Sequence, residues 1–173
     1  MILLIAGTSH TGKTLLAQRL LERYGYPYLS IDHLKMGLIR SGQTALTPMA
    51  PDEPLTGYLW PILREMIKTA IENGQNLIIE GCYIPHDWAK DFGPEYLPHI
   101  RCRFLIMTEH YIRTHWAHIH AHANDIERRM EDDLSMEELI ADNRKNLELC
   151  KKYGCPSLLA DDRYDFSVDA FMA

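Results

Sequence analysis

Short continuous apolar runs alternate along this chain with longer stretches in which apolar residues recur every three or four positions. Runs of the first kind suit strands buried on both faces, and stretches of the second suit helices that bury one stripe. ILLIAG (2–7), NLIIEG (76–81) and CRFLIMT (102–108) are of the first kind, and PYLSID (27–32) and PSLLA (156–160) read as two further strands. Leu16, Leu20, Leu21 and Tyr24 mark a helix from Lys13 to Gly25, and HLKMGLIRSG (33–42) a short helix stopped by Gly42. Residues 43–54 carry Pro48, Pro51 and Pro54 and read as a surface loop long enough to be functional. Leu55, Leu59, Ile62, Leu63, Met66, Ile67 and Ala70 then trace a helix to Asn73-Gly74, with Pro61 as a kink or restart.

Over 111–133 the pattern narrows. Ile112, Trp116, Ile119, Ala123, Ile126 and Met130 repeat at alternating spacings of four and three, a thin apolar stripe on one helix. His115, His118, His122 and Arg129 run beside it, while Arg113, His120, Asn124 and Arg128 lie around the other side. Asn124 with Glu127 can form a capping box, which places a break near 124. Ser135 with Glu138 forms a second box and starts a helix carrying Leu139, Ile140, Asn143, Leu147 and Cys150, stopped by Gly154 and Pro156. A short acidic and aromatic tail closes the chain. Strands alternating with helices predict a parallel sheet covered on both faces.

Composition narrows the class without changing that picture. A chain of 173 residues with 46% hydrophobic and 24% charged residues suits one globular domain spanning 1–173. A net charge of -6 argues against broad binding to nucleic acid or anionic membranes, though a local basic pocket is compatible with it. Cys82, Cys102, Cys150 and Cys155 show no framework spacing and read as reduced thiols that fill the core. Residues 1–6 are too short for a signal-peptide core, and no apolar run reaches membrane-spanning length. The expectation is a soluble, cytoplasmic protein with no nucleic-acid or membrane partner; nothing in the pattern sets an oligomeric state.

Chemistry enters between the first strand and the first helix. Gly7-Thr8-Ser9-His10-Thr11-Gly12-Lys13-Thr14, followed by Leu15, fits G-x-x-x-x-G-K-[ST] at every required position. Glycines let successive backbone N–H groups turn toward one centre, and the helix N-terminus adds positive potential. Lys13 can reach the outer phosphates of a nucleoside triphosphate, and Thr14 can ligate Mg²⁺.

On this motif the chain resembles the P-loop nucleoside triphosphatase superfamily. On element order it resembles the small P-loop kinase branch. SIDHLKMGLIRSG (30–42) and LIIEGCY (77–83) look like bacterial adenylate-kinase-like or zeta-toxin-like sequences. The resemblance implies a three-layer α/β/α fold, a five-stranded parallel sheet of order 2-3-1-4-5 and a helical lid over 111–133. It also implies ATP and Mg²⁺ as cofactors, with a small-molecule acceptor for the γ-phosphoryl group.

The other candidate residues follow from position and resemblance. Asp32 lies where strand ends converge on the phosphate loop; small P-loop kinases commonly place an acid there, and such a carboxylate can accept the acceptor hydroxyl's proton or hold a magnesium-bound water. A helix N-cap is its bland alternative. Lys35 falls where nucleoside monophosphate kinases usually carry Arg, so the bidentate fork is missing; Arg40 can partly compensate on the acceptor side. Glu80 ends a buried strand and resembles the second acidic site beside Mg²⁺, with an ion pair as the alternative. Arg128, then Arg113, can close from the lid over the transferred group, or form ordinary surface ion pairs. His118 and His122 are spaced for a metal, but no further ligand completes a site, and a polar helix face is the preferred reading. Two alternatives to a general kinase remain: a zeta-toxin-like sugar-nucleotide kinase and a non-catalytic ATP-binding sensor.

Overall fold

In the computed structural model, which describes residues 1–121 and 135–173, the first apolar run is β1 (Ile2–Gly7), buried at every position. It is the central strand of the sheet, paired on both edges. β3 (Leu77–Gly81) pairs with it in parallel on one side, and β4 (Ile100–Met107) on the other. β2 (Tyr28–Ser30) and β5 (Ser157–Ala160) close the edges, which gives a five-stranded parallel sheet in the order β2-β3-β1-β4-β5. Sheet order and strand direction are those the resemblance implies.

The period-two alternation of β1 separates two cores. Ile2, Leu4 and Ala6 pack with Leu55, Leu59, Leu63 and Ile67 of α3 (Asp52–Glu72). Leu3 and Ile5 pack with Leu16 and Leu20 of α1 (Lys13–Tyr24), Ile112 of α4 (Glu109–Ala121) and Phe171 of α6 (Val168–Met172). Helices therefore cover both faces. α5 (Met136–Tyr153) contributes Leu139 and Ile140 to the second core and Cys150 to the first. It thus crosses from one face to the other over the carboxyl end of β4.

Several elements differ from the pattern reading. α3 begins at Asp52, inside the expected loop, because Asp52 and Glu53 in its first turn face the positive end of the helix. It also runs unbroken through Pro61, since Leu59, Trp60 and Leu63 are buried on either side of the proline. α4 breaks at His115 (φ -116°, ψ 17°), while the expected break near 124 lies outside the described residues. The tail holds a helix the pattern did not announce, α6, whose N-cap Ser167 accepts a hydrogen bond from Ala170 N–H. The Ser135 cap forms as expected, its hydroxyl accepting from Glu138 N–H. Among the described residues no helix is long and apolar enough to cross a membrane.

Candidate functional site

The loop between β1 and α1 turns through positive φ at Gly7 (143°), His10 (64°) and Gly12 (80°). Two side chains tie it to itself. The Thr11 hydroxyl donates to Thr8 O at 2.9 Å, and Lys13 Nζ donates to the same carbonyl at 2.6 Å. Lys13 is only 7% exposed, so its ammonium rests on a neutral carbonyl in a largely dry setting. An anionic oxygen offers a stronger partner than that carbonyl, so a phosphate group can draw Lys13 away from it. Thr14 and Leu15 follow in the first turn of α1, both half-buried.

Two residues from distant parts of the chain brace the loop. Asn143 of α5, 1% exposed, donates to the Thr8 hydroxyl (3.1 Å) and to Leu139 O (2.9 Å), and accepts from Met107 N–H at the end of β4 (2.8 Å). Tyr164 donates its hydroxyl to Thr11 O (3.1 Å). Burial pushes that phenol up to about 12, so it remains a donor at neutral pH. A Cβ on Gly12 would lie 1.7 Å from the Tyr164 oxygen, so only glycine fits beneath it.

The acidic side is built from β2, β3 and α2 (Ile31–Arg40). Ser30 occupies the N-cap of α2, which leaves Asp32 in the first turn and rules out the cap role considered for it. Lys35 Nζ lies 2.5 Å from Asp32 Oδ1, donates to the Tyr83 hydroxyl at 2.9 Å and sits 5.0 Å from the centre of that ring. The Lys35 side chain is 11% exposed and that of Asp32 39%. Burial pulls the Lys35 ammonium down, but hydrogen bonds to Asp32 and Tyr83 outweigh it, and its pKa stands above 10.5. Lys35 is therefore a charged strut that holds Asp32 in place. Arg40 is exposed at the far end of α2. Glu80 is 2% exposed, in register with Ile5 of β1 on one side and Ser30 of β2 on the other.

Beside the loop opens a cleft of about 670 Å³ between α3 and α5. Gly7, Thr8 and Ser9 form its floor, and the segment from Cys82 to Asp87 its back. Tyr83 lines it, whereas Tyr58 and Trp60 are engaged elsewhere. Trp60 donates to Asp91 (2.8 Å) and meets the edge of Phe92, and Tyr58 donates to Gln43 O (3.0 Å).

The lid candidates separate. Arg113 is ion-paired with Glu109 (2.9 Å) and Glu137 (3.1 Å), and Glu109 also holds Arg144 at 2.6 Å. Arg128, Arg129 and His122 lie outside the described residues. Among the described residues no group of three or more His, Cys, Asp or Glu side chains could hold a metal ion. His115 instead stacks on Tyr111, ring centres 4.2 Å apart.

Pattern reasoning passed over Asn143 and Tyr164. Asn143 carried a signal, as a polar residue at an apolar-stripe position of α5. Tyr164 carried only the aromatic character of the tail.

No protein-family profile matches this sequence, and no curated protein matches it. Solved structures do resemble it. An uncharacterized protein from Eubacterium ventriosum ATCC 27560 superposes with a TM-score of 0.52 at 14% identity, over 99% of this chain and 96% of that one. A deoxyadenosine kinase from M. mycoides, with bound dATP, gives 0.50 at 13% identity over 99% and 95% of the two chains. A shikimate kinase from Bacteroides thetaiotaomicron gives 0.50 at 12% identity over 99% and 91%. At such identities the likeness speaks to the fold alone: the chain has the fold of small P-loop kinases.

Proposed function

We propose that the protein is a cytoplasmic, ATP- and Mg²⁺-dependent kinase that moves the γ-phosphoryl group to a hydroxyl of a small molecule. One observation carries this reading: the phosphate loop, with Lys13 resting on the Thr8 carbonyl, forms the floor of an open cleft. A hydrolase needs room for water; a transferase needs a cavity for a second substrate beside the terminal phosphate.

The loop amides and Lys13 bind the β and γ phosphates, Lys13 exchanging the Thr8 carbonyl for phosphate oxygens. Thr14 and Glu80 supply hydroxyl and carboxylate oxygens of the kind Mg²⁺ prefers, and the burial of Glu80 suits a carboxylate that faces a cation. When bound there, Mg²⁺ would neutralise charge on the β and γ phosphates. Asp32, held by Lys35, orients the acceptor hydroxyl and takes its proton as the new O–P bond forms and the bond to ADP breaks. Arg128, assigned from sequence alone, serves as the lid cation together with Arg113, which would exchange Glu137 for phosphate.

Acceptor-dependent ADP release across sugars, nucleosides and amino alcohols tests the proposal. Lys13→Ala should abolish turnover, and Asp32→Ala should lower kcat by about a hundredfold or more while leaving ATP affinity near wild type. Tight ATP binding with ADP release that no acceptor stimulates, and that Asp32→Ala leaves unchanged, would instead identify a nucleotide sensor.

A further inference from the structure

The walls of the cleft carry an unbalanced set of charges. Asp52 and Glu53 approach from the start of α3, Asp142 and Lys145 from α5, and Asp87 and Lys90 from the segment after β3. Asp87 and Lys90 are ion-paired with each other and cancel. What remains is three carboxylates against the single ammonium of Lys145. Among the described residues no arginine lines the cleft, and Lys35 is already bound to Asp32 and Tyr83. Burial raises the Asp142 carboxyl above its ordinary value, and the nearby Asp52 adds to the shift, as expected where carboxylates crowd.

An acceptor bearing phosphate or carboxylate would enter this cleft against a negative potential, with no guanidinium fork to receive it. A cation would find the reverse. Tyr153, 45% exposed, adds an aromatic wall, with Lys152 Nζ already 5.0 Å from its ring centre. Gly57 leaves the α3 wall open, since a Cβ placed there would meet nothing within 4 Å.

We infer that the acceptor is a positively charged alcohol, an amino sugar or amino alcohol, whose ammonium group is held by Asp52, Glu53 and Asp142 while its hydroxyl faces the phosphate loop. This rests on the phosphotransfer reading above and names the substrate class of the same site.

Cys82 provides a probe that does not depend on turnover. It lines the cleft, half-buried, with its sulfur 3.9 Å from the Ser9 hydroxyl. Cys102 and Cys150 are buried, so a Cys155→Ser background leaves Cys82 as the accessible thiol. In that background, methanethiosulfonate reagents carrying trimethylammonium, methyl or sulfonate groups would be compared, each rate divided by its rate with free cysteine. The cationic reagent should be favoured over the anionic one by about tenfold at low salt, and Asp52→Asn with Asp142→Asn should erase most of that preference. Equal rates, or a faster anionic reagent, overturn the inference.

The second arm uses ADP release with an amino sugar, the parent neutral sugar and its phosphate ester. Highest kcat/KM for the amino sugar supports the inference. Preference for the neutral sugar or the ester, with acceptor-stimulated turnover intact, overturns it and leaves the kinase reading standing. ADP release that none of a broad acceptor set stimulates sinks the kinase reading, and the acceptor assignment falls with it.

Discussion

Asn143 donates 3.1 Å to the hydroxyl of Thr8, a residue 135 positions earlier in the chain, and so fastens α5 to the phosphate loop. The same amide accepts Met107 N–H, which makes it the junction of helix, strand and loop. Met107 N–H is buried and has its partner in this side chain.

Replacing that amide therefore costs more than one hydrogen bond. Asn143→Leu orphans the Met107 donor and frees Thr8, at a cost of about 1–3 kcal/mol. Urea unfolding should show the loss, and binding of a non-hydrolysable ATP analogue should weaken several-fold. Unchanged nucleotide affinity in the folded variant would separate Asn143 from the site.

Gly12 and Tyr164 should behave as a coupled pair. Gly12→Ala drives a methyl group against the Tyr164 oxygen, and the ring is held by Phe166, 4.8 Å away at an interplanar angle of 62°. In a Tyr164→Phe background the 1.7 Å clash is gone, while a contact at 2.9 Å to the ring carbon and the strained φ of 80° remain. A double-mutant cycle on thermal stability should give a coupling of at least about 0.5 kcal/mol, Gly12→Ala being less harmful beside Phe. Strict additivity would show that the ring yields freely.

Gly57 separates stability from function. It lies inside α3 with open space around it, so Gly57→Ala should raise stability by about 0.5–1 kcal/mol, the ordinary cost of glycine in a helix. Gly57→Trp fills the cleft instead. Nucleotide affinity should be retained and acceptor-dependent kcat/KM should drop at least about tenfold, because the bulk enters the acceptor space alone.

His86 makes stability depend on pH. Its ring stacks on Phe104, centres 4.4 Å apart, and burial holds its pKa below 6.5 against the opposing pull of Asn146 and Asp87. The folded state therefore takes up its proton later than the unfolded chain. The neutral ring contributes stability above pH 6.5, and that contribution drains away as pH falls from 6.5 toward the folded-state value. His86→Phe keeps the stack and removes the proton site, so the fall in unfolding midpoint between pH 7 and pH 5.5 should flatten. A variant that loses stability on acidification as steeply as wild type would exclude His86 as the source.

Local signals account for what was legible in the chain. The loop motif of Gly7, Gly12, Lys13 and Thr14 stood out because it is built from consecutive residues, and β1, β3 and β4 were readable because strands buried on both faces need continuous apolar runs. Residues whose roles depend on partners far along the chain were less legible. Asp32 stood out, but that Ser30 takes the cap and Lys35 pins the carboxylate came only with the geometry. Arg113 read as a lid cation through the resemblance, from the interval it occupies, and its pairing with Glu109 and Glu137 depends on how α4 meets α5.

By itself, then, the sequence determined the glycine-rich loop and the alternation of strands and helices, because each rests on short-range spacing, and the sheet order followed through resemblance. Tertiary structure alone decided that Asn143 and Tyr164, near the other end of the chain, brace the loop. It also decided that the acids of α3 and α5 face one cleft. Hydrogen bonding and electrostatic potential depend on distance in space, and only the packing of α5 across the sheet brings those residues together.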